Sequence, residues 1–274
     1  MDPCTLCPRN CRVSRSEGQT GSCGIGDEPV VSSVMAHFGE ESVLVGPGGS
    51  GTIFLAGCNL RCVFCQNHDI SHGRAGRRVR VDQLAGAMLD LQRMGCSNIN
   101  FVTPSHLAAP IGAAIELARA GGLTLPTVYN SGGYDSVETL RLLEGLIDIY
   151  MPDMKYADAE VAEKLSAARD YPQVNFAAVK EMHRQVGDLQ VKNGLASRGL
   201  LIRHLILPEN LAGSLKIIDF LASQISPGTT INIMDQYHPC YQAHRHAQIN
   251  RRPTRDEIAA PRQYAVARGL NVLA

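Results

Sequence analysis

The stretch Thr52-Ile53-Phe54-Leu55-Ala56-Gly57-Cys58-Asn59-Leu60-Arg61-Cys62-Val63-Phe64-Cys65-Gln66-Asn67 joins an apolar run to three cysteines within eight residues. A short apolar run bounded by glycine reads as a buried strand, which puts the cysteines on the loop at its carboxyl end. Disulfide pairing would leave one thiol over. Sulfurs this close in a compact loop converge more readily on a metal or an iron-sulfur cluster. Three thiolates can hold three irons of a cubane, and the fourth iron is then open to a small molecule. The alternative is a structural zinc knuckle, which needs a fourth ligand that His68 or His72 would supply.

Working outward, apolar runs alternate with helical patterns from residue 51 onward. Strands are expected at 52–57, 98–102, 126–130, 148–151, 202–207 and 230–234. Helices are expected at 81–94, 107–120, 137–146, 159–168, 174–186 and 211–224. Strands alternating with helices imply a parallel sheet with crossover connections, and so an open or partly closed α/β barrel. Sites in such folds form at the carboxyl ends of strands. The candidates are therefore Cys58, Thr103-Pro104-Ser105-His106, Asn130-Ser131-Gly132-Gly133, Pro152-Asp153-Met154-Lys155, Leu207-Pro208-Glu209 and Asp235-Gln236-Tyr237-His238-Pro239.

The chain has 274 residues, enough for one large domain and an appendage, and a formal net charge of zero. Nothing in that balance points to nucleic acid or an anionic membrane surface. The basic stretch Arg74 to Arg80 reads as a solvated connection. There is no run of apolar residues long enough for a membrane span and no leader pattern at Met1-Asp2-Pro3-Cys4, so a cytoplasmic location is expected. Nine cysteines without an export signal fit metal and cluster chemistry better than a disulfide framework.

Residues 1–50 form a cysteine-rich segment ahead of a core spanning 51–274. Cys4, Cys7, Cys11 and Cys23 lie among glycines with little apolar periodicity, and such a piece needs a staple. Four thiolates suit either a closed zinc site or a fully ligated iron-sulfur cluster, and spacing does not separate the two. The segment Gly46-Pro47-Gly48-Gly49-Ser50-Gly51 lacks the ending of a phosphate loop and precedes a strand instead of following one. It reads as a flexible lead into the first barrel strand. Cys96 is expected to be a small buried residue. Cys240 should lie near the mouth.

The window Gly57 to Asn67 resembles the cluster loop of the radical S-adenosylmethionine (SAM) superfamily. That resemblance implies a partial (β/α)6 TIM-like barrel with a [4Fe-4S] cluster on Cys58, Cys62 and Cys65. It further implies that the open iron chelates SAM, and that an electron from a low-potential donor such as flavodoxin or ferredoxin cleaves SAM to a 5'-deoxyadenosyl radical. Phe64 matches an aromatic position near the adenine.

Nearly the whole chain is similar to relatives of pyruvate formate-lyase activating enzyme, through Cys4-Thr5-Leu6-Cys7-Pro8-Arg9-Asn10-Cys11, Gly21-Ser22-Cys23-Gly24, His37-Phe38-Gly39-Glu40-Glu41, Thr103 to His106, Tyr129 to Tyr134 and Met234 to Tyr237. From this likeness, Asn130 and Ser131 would help bind a monovalent cation beside the SAM carboxylate, with the Met151 carbonyl near it. Asp153, Lys155 and Arg203 would contact the cofactor, and His238 would correspond to a histidine after the sixth strand. The implied partner is a glycyl radical enzyme. Two departures bear on the substrate. Thr103-Pro104-Ser105-His106 replaces the usual Gly-Gly-Glu, leaving the hydroxyl or carbonyl of Thr103 or Ser105 to receive the SAM amino group, and Asn130 replaces a common aspartate. Another peptide, protein side chain or small molecule is therefore an alternative target, and a non-catalytic metal-binding or electron-transfer scaffold is a third reading.

Overall fold

In the computed structural model, which describes residues 2–273, the run ahead of the three cysteines forms one strand of a ten-stranded sheet. The strands are β1 (Val30–His37), β2 (Ser50–Leu55), β3 (Arg77–Arg78), β4 (Ile99–Val102), β5 (Thr127–Ser131), β6 (Ile149–Pro152), β7 (Gln190–Lys192), β8 (Leu195–Leu205), β9 (Thr230–Met234) and β10 (Asn271–Val272). The principal helices are α1 (His68–Ser71), α2 (Val81–Arg93), α3 (Ala108–Ala120), α4 (Val137–Leu142), α5 (Ala159–Ser166), α6 (Tyr171–Val186), α7 (Ser214–Phe220) and α8 (Arg255–Ala267). Strand order is β10-β9-β8-β6-β5-β4-β2-β1-β3, with β7 hairpinned onto β8. The six strands β2, β4, β5, β6, β8 and β9 run parallel, joined by helical crossovers. This is the open α/β barrel the alternation implies, in the partial TIM-like form the resemblance implies.

Period-two alternation sorts the strand residues between two environments. Ile53, Phe101, Tyr129, Tyr150, Ile202 and Ile231 face outward and pack against Leu84, Met88, Ile111, Ile115, Val179 and Ile217 of the helices. Their neighbours Phe54, Val102, Asn130, Asp153, Arg203, Leu205 and Met234 face inward and line a cleft. The helices follow from stripes of apolar residues with local caps. In α2 the buried positions are Leu84, Ala85, Met88 and Leu91, one face of a helix. Asp158 caps α5 by accepting from the Glu160 and Val161 amides, and Thr254 and Glu257 form a capping box at α8.

Several features depart from the expectations. β1 runs antiparallel to β2, so residues 1–50 contribute a strand to the core sheet. After β1 the chain turns under the barrel, and Leu44, fully buried, packs among Val128, Ile149, Met151 and Leu201. This plug fills the inner space at the amino ends of the strands. The glycine segment after it is a tight packing element and not a flexible lead: a Cβ on Gly48 would collide with the Gly95 carbonyl. β8 starts seven residues before the expected position, because Asn193 and Gly194, both at positive φ, turn β7 back onto it. Among the described residues no helix is long and apolar enough to cross a membrane. The Arg74 to Arg80 stretch is mostly exposed, with β3 pairing briefly with β1.

Candidate active site

β2 delivers the chain to the cysteine loop at the carboxyl end of the barrel, and that loop is clamped from three sides. The amides of Arg61 and Val63 donate to the carbonyls of Ser166 and Leu165 at the end of α5. Arg9 of the N-terminal segment donates through Nε to the Asn59 carbonyl at 2.7 Å and lies over the Tyr134 ring. From the segment after β9, the Gln242 amide donates to the Val63 carbonyl at 2.9 Å, the Cys240 thiol to the Phe64 carbonyl at 3.1 Å, and Tyr237 packs edge-on against Phe64. Cys240 thus sits behind the loop and not in the cleft.

Cys58, Cys62 and Cys65 all line a cleft of about 370 Å³, together with Phe64, Asn130, Ser131, Asp153, Lys155 and Arg203. All nine cysteines are free thiols. Burial, reinforced by Cys62, pushes the Cys58 thiol up to about 12, and burial also raises Cys62 against the opposing pull of Lys155. Such thiols shed their protons only when a cation replaces them. Ser166 donates to the Cys62 sulfur at 3.0 Å and is itself held by Tyr156 at 2.8 Å.

Across the cleft, Asp153 sits between two cations. Arg203 Nε is 2.9 Å from one carboxylate oxygen and Lys155 Nζ is 2.6 Å from the other. Burial opposes ionisation of Asp153, but Arg203 and then Lys155 outweigh it and hold the carboxyl below its usual range. The same pairing, led by Asp153, keeps buried Lys155 and Arg203 above theirs. Asn130 and Ser131 stand beside this group at the end of β5, and the Ser131 hydroxyl donates to buried Asp135 at 2.7 Å. Thr103, also in the cleft, holds φ at 64°, a costly conformation for a β-branched residue. Its amide donates to the Asn130 carbonyl at 2.9 Å.

Two expected contacts lie elsewhere. Ser105 is buried beneath the cleft beside Asp135 and Tyr129, because the turn after β4 points Thr103 inward in its place. His238 is exposed, with Nδ1 3.3 Å from the Gln236 carbonyl. Conversely, His37 at the end of β1 and Glu40 on the plug line the cleft, and Ser166 touches a cysteine sulfur; the sequence alone assigns none of them a role. His37 and Glu40 fall inside a quoted motif, whereas Ser166 carries no local signal at all.

The N-terminal thiols also gather. Cys4, Cys7 and Cys23 are buried, and burial raises Cys7 to about 11, with Cys23 and Cys11 near enough to add to the effect. Arg15 donates to the Cys23 sulfur at 3.4 Å. Among the described residues no three His, Cys, Asp or Glu side chains meet about one point at the spacing of a single metal ion. A cubane makes a different demand, since each cysteine meets its own iron.

With the geometry in hand, comparison with known proteins identifies the class. A sequence model of the radical SAM superfamily matches residues 52–221, and the chain belongs to that family. Its sequence is 34% identical to the uncharacterized protein MJ0674 of Methanocaldococcus jannaschii, over 98% of this chain and 76% of that one. In structure it is similar to a radical SAM methyltransferase from Sphaerobacter thermophilus, with TM-score 0.54, 14% identity, 81% of this chain and 65% of that chain covered. It is also similar to Streptococcus suis SuiB bound to precursor peptide SuiA, with TM-score 0.52, 12% identity and coverage of 78% and 46%. The FeFe-hydrogenase maturase HydG of Carboxydothermus hydrogenoformans aligns with TM-score 0.53, 15% identity and coverage of 78% and 50%. The chain thus spans about two thirds of the methyltransferase and about half of the other two. Membership implies a [4Fe-4S] cluster and SAM, and the residues present fit both: three unpaired thiols share one cleft with a cation-rich wall.

Proposed function

We propose that the protein is an enzyme that reductively cleaves SAM and uses the resulting radical to take a hydrogen atom from a substrate held in the cleft. The observation that carries this reading is the opening of Cys58, Cys62 and Cys65 onto the same space as Asp153, Lys155 and Arg203. When bound, a [4Fe-4S] cluster would be held by these three cysteines and would supply the electron that breaks the sulfonium C–S bond. The chain's own residues do the positioning. Asp153, Lys155 and Arg203 form a wall of fixed charge suited to a ribose-bearing zwitterion, and Phe64 offers an aromatic face. Asn130 and Ser131 contribute polar groups at the end of β5, where a monovalent cation would sit beside the cofactor carboxylate. With no carboxylate after β4, the Thr103 hydroxyl or carbonyl is the acceptor there for the SAM amino group.

In this reading Cys4, Cys7, Cys11 and Cys23 hold a second metal group, zinc or iron-sulfur, that fixes the N-terminal segment against the cluster loop through Arg9. A flavodoxin- or ferredoxin-like donor in the cytoplasm supplies the electron. The target that accords with the whole-chain resemblance is a glycine of a glycyl radical enzyme, and the departure at Thr103 to His106 favours a different peptide or small molecule as the second reading. The test is anaerobic reconstitution followed by dithionite and SAM. Release of 5'-deoxyadenosine is expected, and its absence with an intact cluster refutes the proposal. A glycine-centred paramagnetic signal on an added glycyl radical enzyme separates the two targets.

A further inference from the structure

Glu40 of the cleft lining and its buried neighbour Glu41 are carboxylates that the chain does not closely neutralise. Glu40 and Glu41, on the plug, have side chains 8% and 5% exposed. The cation facing them is Arg203, whose Nη1 lies 4.0 Å from Glu41 Oε1 and whose Nε is already taken by Asp153. Lys155 is likewise bound to Asp153. Glu40, Glu41 and Asp153 therefore share Arg203, Lys155 and the His37 imidazole 3.3 Å from Glu40, and burial, with Glu41 beside it, raises the Glu40 carboxyl above its usual range.

Hydrogen bonding there is also incomplete. Glu41 Oε1 accepts from Asn232 at 3.3 Å, but Glu41 Oε2, His37 Nδ1 and Asn100 Oδ1 are buried without a partner among the described residues. Glu40 Oε1 approaches His37 Nδ1 at 3.3 Å without satisfying it. Asn100, fully buried, lies on the inner face of β4 one step below Val102 of the cleft wall. Buried polar atoms are nearly always paired, and a buried carboxylate without donors is costly. Of these, Glu41 Oε2 and Asn100 Oδ1 are acceptors from two different elements, whereas His37 Nδ1 faces the Glu40 carboxylate. The unmet demand at Glu40 and Glu41 is for positive charge and for hydrogen-bond donors. A primary ammonium supplies both, with three N–H groups and no acceptor.

We propose that the inner end of the cleft is a subsite for a primary ammonium group of the substrate, seated on Glu40 and Glu41, with the rest of the substrate extending toward Cys58, Cys62 and Cys65. The carbon to be attacked then lies on an aliphatic chain between the carboxylates and the cysteine end, along the apolar wall of Phe54, Val102 and Leu205. The assignment deepens the radical reading and rests on it only for where the reaction occurs.

The test is calorimetric titration of the reconstituted protein with Nα-acetyl-lysine methylamide and with its neutral isostere Nα-acetyl-norleucine methylamide. The lysyl probe is expected to bind at least tenfold tighter, and Glu40→Gln and Glu41→Gln to erase that preference while the folded state and iron content are retained. Pentylamine against 1-pentanol, run in parallel, separates a free amine from a peptide side chain, and a preference within either pair supports the subsite. Equal binding within both pairs by the wild type, as expected were the orphaned atoms met by water alone, overturns it without need of the variants. So does a preference that survives in both variants, or loss of binding when S-adenosylhomocysteine saturates the protein, which would assign the carboxylates to the cofactor's own amino group. Release of 5'-deoxyadenosine by the wild type is read separately. Release without probe preference discards the subsite and keeps the radical reading, and the converse result keeps the subsite alone.

Discussion

Asp153→Asn tests the charged wall directly. The Asp153 side chain is 12% exposed and bonded to Lys155 at 2.6 Å and Arg203 at 2.9 Å. Asparagine keeps the shape and one acceptor but removes the charge, leaving Glu41, 4.0 Å from Arg203 Nη1, as the facing anion. Breaking a buried pair from one side costs ~3–5 kcal/mol. The retained acceptor, with exposures of 17% at Lys155 and 20% at Arg203, places this case near the lower end, ~3 kcal/mol. At ~2–4 °C per kcal/mol for a chain of this size, the melting temperature falls by roughly 6–12 °C. The pH dependence fixes the origin of the loss. Because the folded Asp153 carboxyl titrates below its usual value, its contribution is complete above the unfolded pKa of ~3.9 and is lost as pH falls through the folded value. Lys155, held above its usual range, gives a contribution complete below ~10.4 and lost as pH rises through its folded value. Urea denaturation of reduced, cluster-free wild type and variant should therefore show a constant gap from about pH 5 to 9 that narrows in acid. A gap under ~1 kcal/mol, the scale of an exposed pair, or one that does not narrow in acid, refutes the argument that this is a buried ionic wall.

Two further outcomes follow from the cysteines. Ser166→Ala removes the hydrogen bond to the Cys62 sulfur and should lower the cluster reduction potential by ~20–60 mV, the equivalent of ~0.5–1.4 kcal/mol for one electron; a redox titration followed by paramagnetic resonance reads the shift, and an unchanged potential would show that the bond is indifferent to oxidation state. Replacing Cys4, Cys7, Cys11 and Cys23 together by alanine should remove the second metal group while sparing the first. Metal analysis of anaerobically purified protein distinguishes iron loss from zinc loss, and unchanged content of both would dismiss a second site.

The six barrel strands are legible because each is a short apolar run ending in polar residues, and Thr230–Met234 agrees to the residue. The cysteine loop is legible because its chemistry is local. β1 is harder to read: Val30–His37 alternates weakly, and its side chains are mostly half-buried or exposed, since it lies at the margin of the sheet. α8 follows β9 after a long connection and has little apolar periodicity, burying only Pro261 and Ala265. The site divides in the same way. Asp153 and Lys155 sit at a strand end where a rule points to them. Arg203, one register step inside β8, needs a resemblance to be found. Ser166, at the end of α5, becomes relevant only because the loop at Cys62 folds back onto that helix terminus, a tertiary event with no trace in spacing.

The sheet has two ends that never meet. One side of β2 is taken by β1 and the far side of β9 by β10, so among the described residues the seam between β2 and β9 has no backbone ladder across it. The bond that ties the plug to β9 near this seam is from Asn232 to Glu41, at 3.3 Å. Widening such a slit strains side chains alone and breaks no rung of main-chain pairing, whereas the same displacement in a closed barrel would rupture a whole column of amide bonds. Compliance is thereby confined to one wall, opposite the rigid strands that carry Asn130 and Asp153.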